Sequence, residues 1–141
     1  MIDIENLMFT RIYEAVTAEY PQAEVVKGYR ETFSRFPAVT VREVNNESYV
    51  RTLDNELEDH DVRVYYEVNV YCNDITGREE KCKAVFRIVD GVFLRSRFYR
   101  MWRHVMPNID RTISRYYGRY RGIVHEAREE NGDTVYQIYR K

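Results

Sequence analysis

Cysteine is scarce in this chain: Cys72 and Cys82 stand alone among 141 residues. They are too few and too widely spaced for a CxxC zinc half-site or a disulfide framework, so reduced, half-buried thiols are expected. Long apolar runs are missing too. None approaches the roughly 18 residues that span a membrane, and the opening IDIENL has no basic-then-apolar leader. The expectation is a cytosolic chain, or one assembled from the cytosol, with no membrane partner. Neither sign of charge dominates, since 22 Lys and Arg face 23 Asp and Glu; bulk charge gives no reason to expect a polyanionic partner. The six glycines (28, 77, 91, 118, 122, 132) build no phosphate-cradling loop, and GRYRG at 118–122 is neither GxGxxG nor a P-loop. Gly118 and Gly122 are instead read as permitting close packing or a bulge in a strand. Ser34, Ser48, Ser96 and Ser114 lack a G-x-S-x-G context, and neither cysteine has a histidine beside it in sequence. His104 and His125 are single histidines without an assigned role. Internal repeats, low-complexity tracts and interdomain linkers are absent from the sequence. The expectation is a non-enzymatic protein with no catalytic residue and no cofactor.

What is present is a composition 44% hydrophobic and 32% charged, enough to bury one respectable core, and residues 1–141 are read as a single domain. Ile4, Leu7, Met8, Ile12, Ala15 and Val16 recur at helical spacing from an N-cap at Asp3 until Pro21 stops the pattern. AEVVKGY (23–29) and FPAVTVREV (36–44) read as strands, with Pro37 at the beginning or edge of the second. From Val62 to Cys72 alternation is nearly perfect. Val62, Val64, Tyr66, Val68, Val70 and Cys72 fall on one side, and Arg63, Tyr65, Glu67, Asn69 and Tyr71 on the other, as in a central strand. Cys82, Val85, Phe86, Val89, Val92 and Phe93 mark the inner face of a helix over 78–94, with Glu79 and Glu80 in its first turn where the helix dipole favours them. After a loop-like stretch around MPNID, strands follow at 114–127 and 134–140, joined by a hairpin containing Asn131-Gly132. The order αβββαββ predicts an α+β fold: one mostly antiparallel sheet of about five strands packed by two helices. The helix at 82–93 should cover the side showing Val64, Tyr66, Val68 and Val70.

Two charge blocks stand out against the neutral whole. Asp54, Glu56, Glu58, Asp59 and Asp61 form an acidic stretch with no base among them, while Arg95, Arg97, Arg100, Arg103, Arg111, Arg115, Arg119 and Arg121 are opposed by Asp110 alone. His60 between Asp59 and Asp61 brings metal ligation to mind. Alternate residues of an extended segment point oppositely, however, and no second His or Cys cluster supports a site, so no metal is expected. Nothing apolar surrounds these carboxylates to raise a pKa for acid or base work. Three readings of the blocks remain open: two solvated faces, a single-strand nucleic-acid grip with bases stacked on Phe98, Tyr99, Trp102, Tyr116, Tyr117 and Tyr120, or complementary patches of a head-to-tail assembly.

The run FPAVTVREVNNESY, the acidic DNELEDHD, the strand VRVYYEVNVY, an amphipathic helix and a closing pair of strands resemble the tail terminator family of tailed phages, also called tail completion or minor tail protein U-like. The resemblance extends over nearly the whole chain in element order, and its sharp part is FPAV, the tyrosine and acid spacing, and VNVY. It implies a structural virion protein, assembled in the host cytoplasm, that forms a hexameric ring of identical subunits at the head-proximal end of a phage or bacteriocin-like tail. Such a ring ends tube polymerisation and joins the tail to the neck. The implied partners are further copies of the chain, the tail tube protein, a neck or connector protein and, in a contractile tail, sheath; DNA only passes through the lumen. The subunit interface then sets Asp54, Glu56, Glu58, Asp59 and Asp61 against Arg95, Arg97, Arg100, Arg103, Arg115 and Arg119 of the next copy. A neck or head completion adaptor is the alternative within the virion, and a single-strand nucleic-acid-binding module the alternative outside it.

Overall fold

The computed structural model describes residues 2–30, 32–48, 61–108, 110–128 and 134–139. Helix α1 (Glu5–Glu19) buries Met8, Ile12 and Val16, spaced four apart so that one stripe faces inward. Its N-cap is Ile4, one residue beyond the expected Asp3, and no side chain caps it; Asp3 Oδ1 still accepts the Glu5 N–H at 3.0 Å. Strands β1 (Glu24–Lys27), β2 (Ala38–Ser48) and β3 (Asp61–Cys72) lead to α2 (Arg78–Arg95), and β4 (Tyr99–Met106), β5 (Ser114–Arg128) and β6 (Thr134–Tyr139) complete the order. The fold is α+β, as expected, and the elements read from the sequence are all present, with β4 as an additional strand.

Six strands among the described residues form one sheet, ordered β1-β2-β3-β5-β4, with β6 also on β5. β1 runs parallel to β2; the pairings of β2 with β3, β3 with β5, and β5 with β4 and β6 are antiparallel. Strand β5 is long enough to carry two partners in tandem along one edge, β4 against residues 115–121 and β6 against 123–128.

Both helices lie on one side of the sheet. The β3 residues assigned to the core, Val62, Val64, Tyr66, Val68, Val70 and Cys72, are all buried there, facing Cys82, Val85, Phe86, Val89 and Phe93 of α2. Alternation thus produced the packing it predicted, because each alternate residue kept wet forfeits about 1.5–3 kcal/mol of apolar burial. The centre is aromatic: Phe93 stacks on Tyr120 with centroids 4.1 Å apart and meets Phe98 and Tyr66 at 5.4 and 5.7 Å. Two glycines of β5 make room for it. A Cβ on Gly118 would stand 2.5 Å from the Phe86 ring, and one on Gly122 2.7 Å from the Phe98 ring, which is the close packing expected of them. The thiols are fully buried rather than half-buried, since Cys72 ends the helix-covered side of β3 directly beneath Cys82. Their mutual hydrogen bond and burial push the Cys82 thiol up, and its Sγ lies 3.3 Å from the Val70 carbonyl oxygen.

Candidate functional surface

Among the described residues, the opposite face of the sheet carries no helix. Register assigns to it Arg63, Tyr65, Glu67, Asn69 and Tyr71 of β3, and opposite them Ile123, Arg121, Arg119, Tyr117 and Arg115 of β5. From β4 come Tyr99, Trp102, His104 and Met106. Cations and rings therefore alternate both along and across the strands. The Arg121 guanidinium lies 4.8 Å from the Tyr99 ring centre, Arg119 5.6 Å from Trp102 and Arg115 5.5 Å from Tyr71. Trp102 also touches Tyr117 and His104, at 4.8 and 4.7 Å. Such stacking holds each guanidinium flat over apolar surface while its edge remains able to meet carboxylates.

Polar contacts fix the ladder in place. Arg115 Nε donates to Asn69 Oδ1 at 2.8 Å, and Arg42 of β2 meets the Glu67 carboxylate at 2.7 Å. Glu67 raises the basicity of Arg42. Burial and a hydrogen bond to Glu67 push the Tyr117 hydroxyl up. The Nε atoms of Arg119 and Arg121 are buried without a hydrogen-bond partner, their guanidinium groups being occupied by the rings they cover.

At the Tyr71 end of this face a cavity of about 560 Å³ opens, walled by Tyr29, Phe33, Phe36, Tyr71 and Ile113, with Arg115 at its rim. Phe33 stands 4.8 Å from Tyr71 and 6.2 Å from Phe36. Asp110 also borders the cavity, but its carboxylate accepts from the Thr112 N–H and hydroxyl at 2.9 and 2.6 Å. Those bonds hold it below the usual carboxylate range.

The arginine run read as one block is divided by the fold. Arg115 and Arg119, with Arg121, lie on the helix-free face. Arg100 and Arg103 fall on the helix side at the β4 edge, where Arg100 pairs with Asp90 at 2.8 Å and Arg103 lies over Tyr116 at 5.4 Å. Arg95 ends α2, and Arg97 follows it at a left-handed φ of 66°. Of the acidic block, Asp54, Glu56, Glu58 and Asp59 lie outside the described residues. Asp61 is turned inward, with its carboxylate 2.8 Å from His125 Nδ1. His60 also lies outside the described residues, and among those described no three His, Cys, Asp or Glu side chains converge as a metal group. Arg42 and the cavity walls Tyr29, Phe33, Phe36 and Ile113 were not singled out in the sequence, and Trp102 was named there only as a stacking ring for bases. The alternation of β3 was the available signal for this face, since it had already placed Arg63, Tyr65 and Tyr71 off the core side.

The molecule is thus an α+β protein whose sheet is dry on one face and lined with arginine and aromatic side chains on the other. No protein-family model matches the chain, and no curated protein matches it.

Proposed function

We propose that the chain is a tail terminator subunit, assembling as a hexameric ring at the head-proximal end of a phage or phage-like tail, where it ends tube growth and joins the tail to the neck. The observation that carries this reading is the pairing of the two short motifs on which the resemblance rests. FPAV and VNVY lie some thirty residues apart, yet Ala38 pairs with Tyr71 and Val39 with Val70, so they form one structural unit at the sheet centre. The helix-free face supports it further. It offers a broad aromatic and cationic surface of the composition found at protein interfaces, where Arg, Tyr and Trp are enriched.

The same interleaving favours a second reading, a platform for single-stranded nucleic acid. Against it, the rings of Trp102, Tyr99 and Tyr71 are already covered by the chain's own arginines, leaving fewer faces on which bases can stack. The deciding experiment is native mass spectrometry of the purified chain with and without polymerised tube from the particle that encodes it. The terminator reading expects an assembly of six times the 17.1 kDa chain mass and tubes that stop growing once capped. A ring that binds connector and leaves tube growth unchanged identifies the neck adaptor instead. A salt-sensitive oligonucleotide shift without assembly replaces both with the nucleic-acid reading.

A further inference from the structure

We infer that the outer edge of β4, at Arg103 and Val105, receives an extended, acid-bearing strand of a different polypeptide, which widens the sheet by one strand. The contact is separate from closure of the ring proposed above.

Hydrogen-bond parity shows which groups of β4 are free. The Glu24 and Gly28 N–H groups bond to the Pro37 and Val41 carbonyls, so odd-numbered residues of β2 up to Val41 face β1 and even-numbered ones face β3. Alternation carries this across the sheet. Ala38 and Thr40 bond to Tyr71 and Asn69, which leaves Val70 and Val68 for Tyr116 and Gly118, and in turn Tyr117 and Arg115 for His104 and Met106. The N–H and C=O groups of Arg103 and Val105 therefore point away from the sheet. Among the described residues no strand lies beyond β4, and no group bonds to its outer edge.

Exposed edges are usually blunted by lysine, proline or a bulge. β4 has neither residue, and its bulge falls between Arg100 and Trp102, ahead of the regular stretch 102–106. Val105 stands 58% exposed there. Such an edge takes an extended chain by backbone hydrogen bonding, with alternate side chains setting the choice of partner.

Charge names the occupant. YRMWRHVM holds two arginines, one histidine and no acid. Arg100 meets Asp90, whereas Arg103 lies over the Tyr116 and Phe86 rings, with no carboxylate paired to it among the described residues. A carboxylate opposite Arg103 and apolar residues facing Trp102 and Met106 complete the edge. The chain's own strands fit less well. A second β4 repeats the same cations, the outward residues of β1 are Val25 and Lys27 by the same parity, and β6, TVYQIY, carries no acid.

The test adds the synthetic peptides TVEVEVT and TVKVKVT to the purified chain and follows backbone amide hydrogen exchange by NMR. Without peptide, the Arg103 and Val105 amides are expected to exchange fast and those of Trp102 and His104 slowly. TVEVEVT should slow the first two about tenfold, TVKVKVT should not, and Arg103→Glu should reverse the preference. Val105→Pro removes an outward N–H and keeps the bonds to β5; it should abolish binding with the thermal melt little changed, and Arg103→Glu carries the test if the proline variant does not fold. Equal slowing by both peptides, binding that survives in folded Val105→Pro, or no slowing by TVEVEVT overturns the inference. Amides already slow without peptide and freed by dilution place a second copy on the edge and overturn the choice of occupant. Hexamer formation in native mass spectrometry bears on the ring reading alone.

Discussion

Strand β3 shows its two faces to two different worlds. Toward the helices it presents Val62, Val64, Tyr66, Val68 and Val70, each at most 1% exposed, against rings packed at 4.1–5.7 Å. One residue along, Arg63, Tyr65 and Glu67 are half-buried beneath no described helix, while Asn69 and Tyr71 farther along the same face are buried. The first face is specified by volume: every neighbour must fit, down to the two glycines that admit Phe86 and Phe98. The second is specified by chemistry, its arginines held flat by rings and by Asn69. A chain selected only to fold has no need of such a ladder opposite its core. Under the assembly proposed above, this is the face on which partners are to be sought.

The contrast is tested most strongly at the core. Phe93→Ala removes the ring that stacks on Tyr120 and should cost about 3–5 kcal/mol, read as a fall in the urea midpoint at unchanged slope. Gly118→Val drives methyl groups into Phe86 and should cost about 1–3 kcal/mol on the same axis; a neutral result means that the α2 face yields and is not fixed by volume. Trp102→Ala on the helix-free face should cost only about 1 kcal/mol, the scale of a surface cation–π contact and a partial ring burial, while weakening assembly. A loss equal to that of Phe93→Ala would make the second face another core and erase the distinction.

The smallest effect concerns Glu43, at the β2 edge of the core, where the Tyr66 hydroxyl lies 3.4 Å from its carboxylate. Burial, with the Asp3 and Glu5 charges, raises its pKa. A carboxylate raised in the folded state lends its stability below the ordinary range and loses it as pH rises through the higher folded value. Glu43→Gln should accordingly stabilise the protein at about pH 7 and leave it nearly unchanged at about pH 4. Paired thermal melts at the two values check the sign; an equal shift at both pH values would contradict it.

Elements whose side chains sort by burial were legible in the sequence. The period-two run of β3 and the helical stripe of α2 each mapped onto the structure because both face the same dry layer. β4 was not legible, since YRMWRHVM lies at an edge, shows mostly exposed or half-buried residues and carries a bulge between Arg100 and Trp102. That bulge also explains why one arginine run became several groups. It sets Arg100 and Arg103, three apart, on the same side, whereas β5 sends Arg115, Arg119 and Arg121 to the other. The cavity was beyond reach of any local pattern, because its walls come from the stretch before β2, the end of β3 and the connection between β4 and β5.

The paired thiols give the seam between α2 and β3 a clock. Cys82 is 0% exposed and so is Cys72, and the thiolate of Cys82 is disfavoured by its surroundings, so a chromogenic thiol reagent acts only on molecules in which helix and strand have parted. Its rate at varied denaturant separates the breathing of this seam from complete unfolding. Subunits locked into an assembly should register as slower colour development, with no label added and no residue changed.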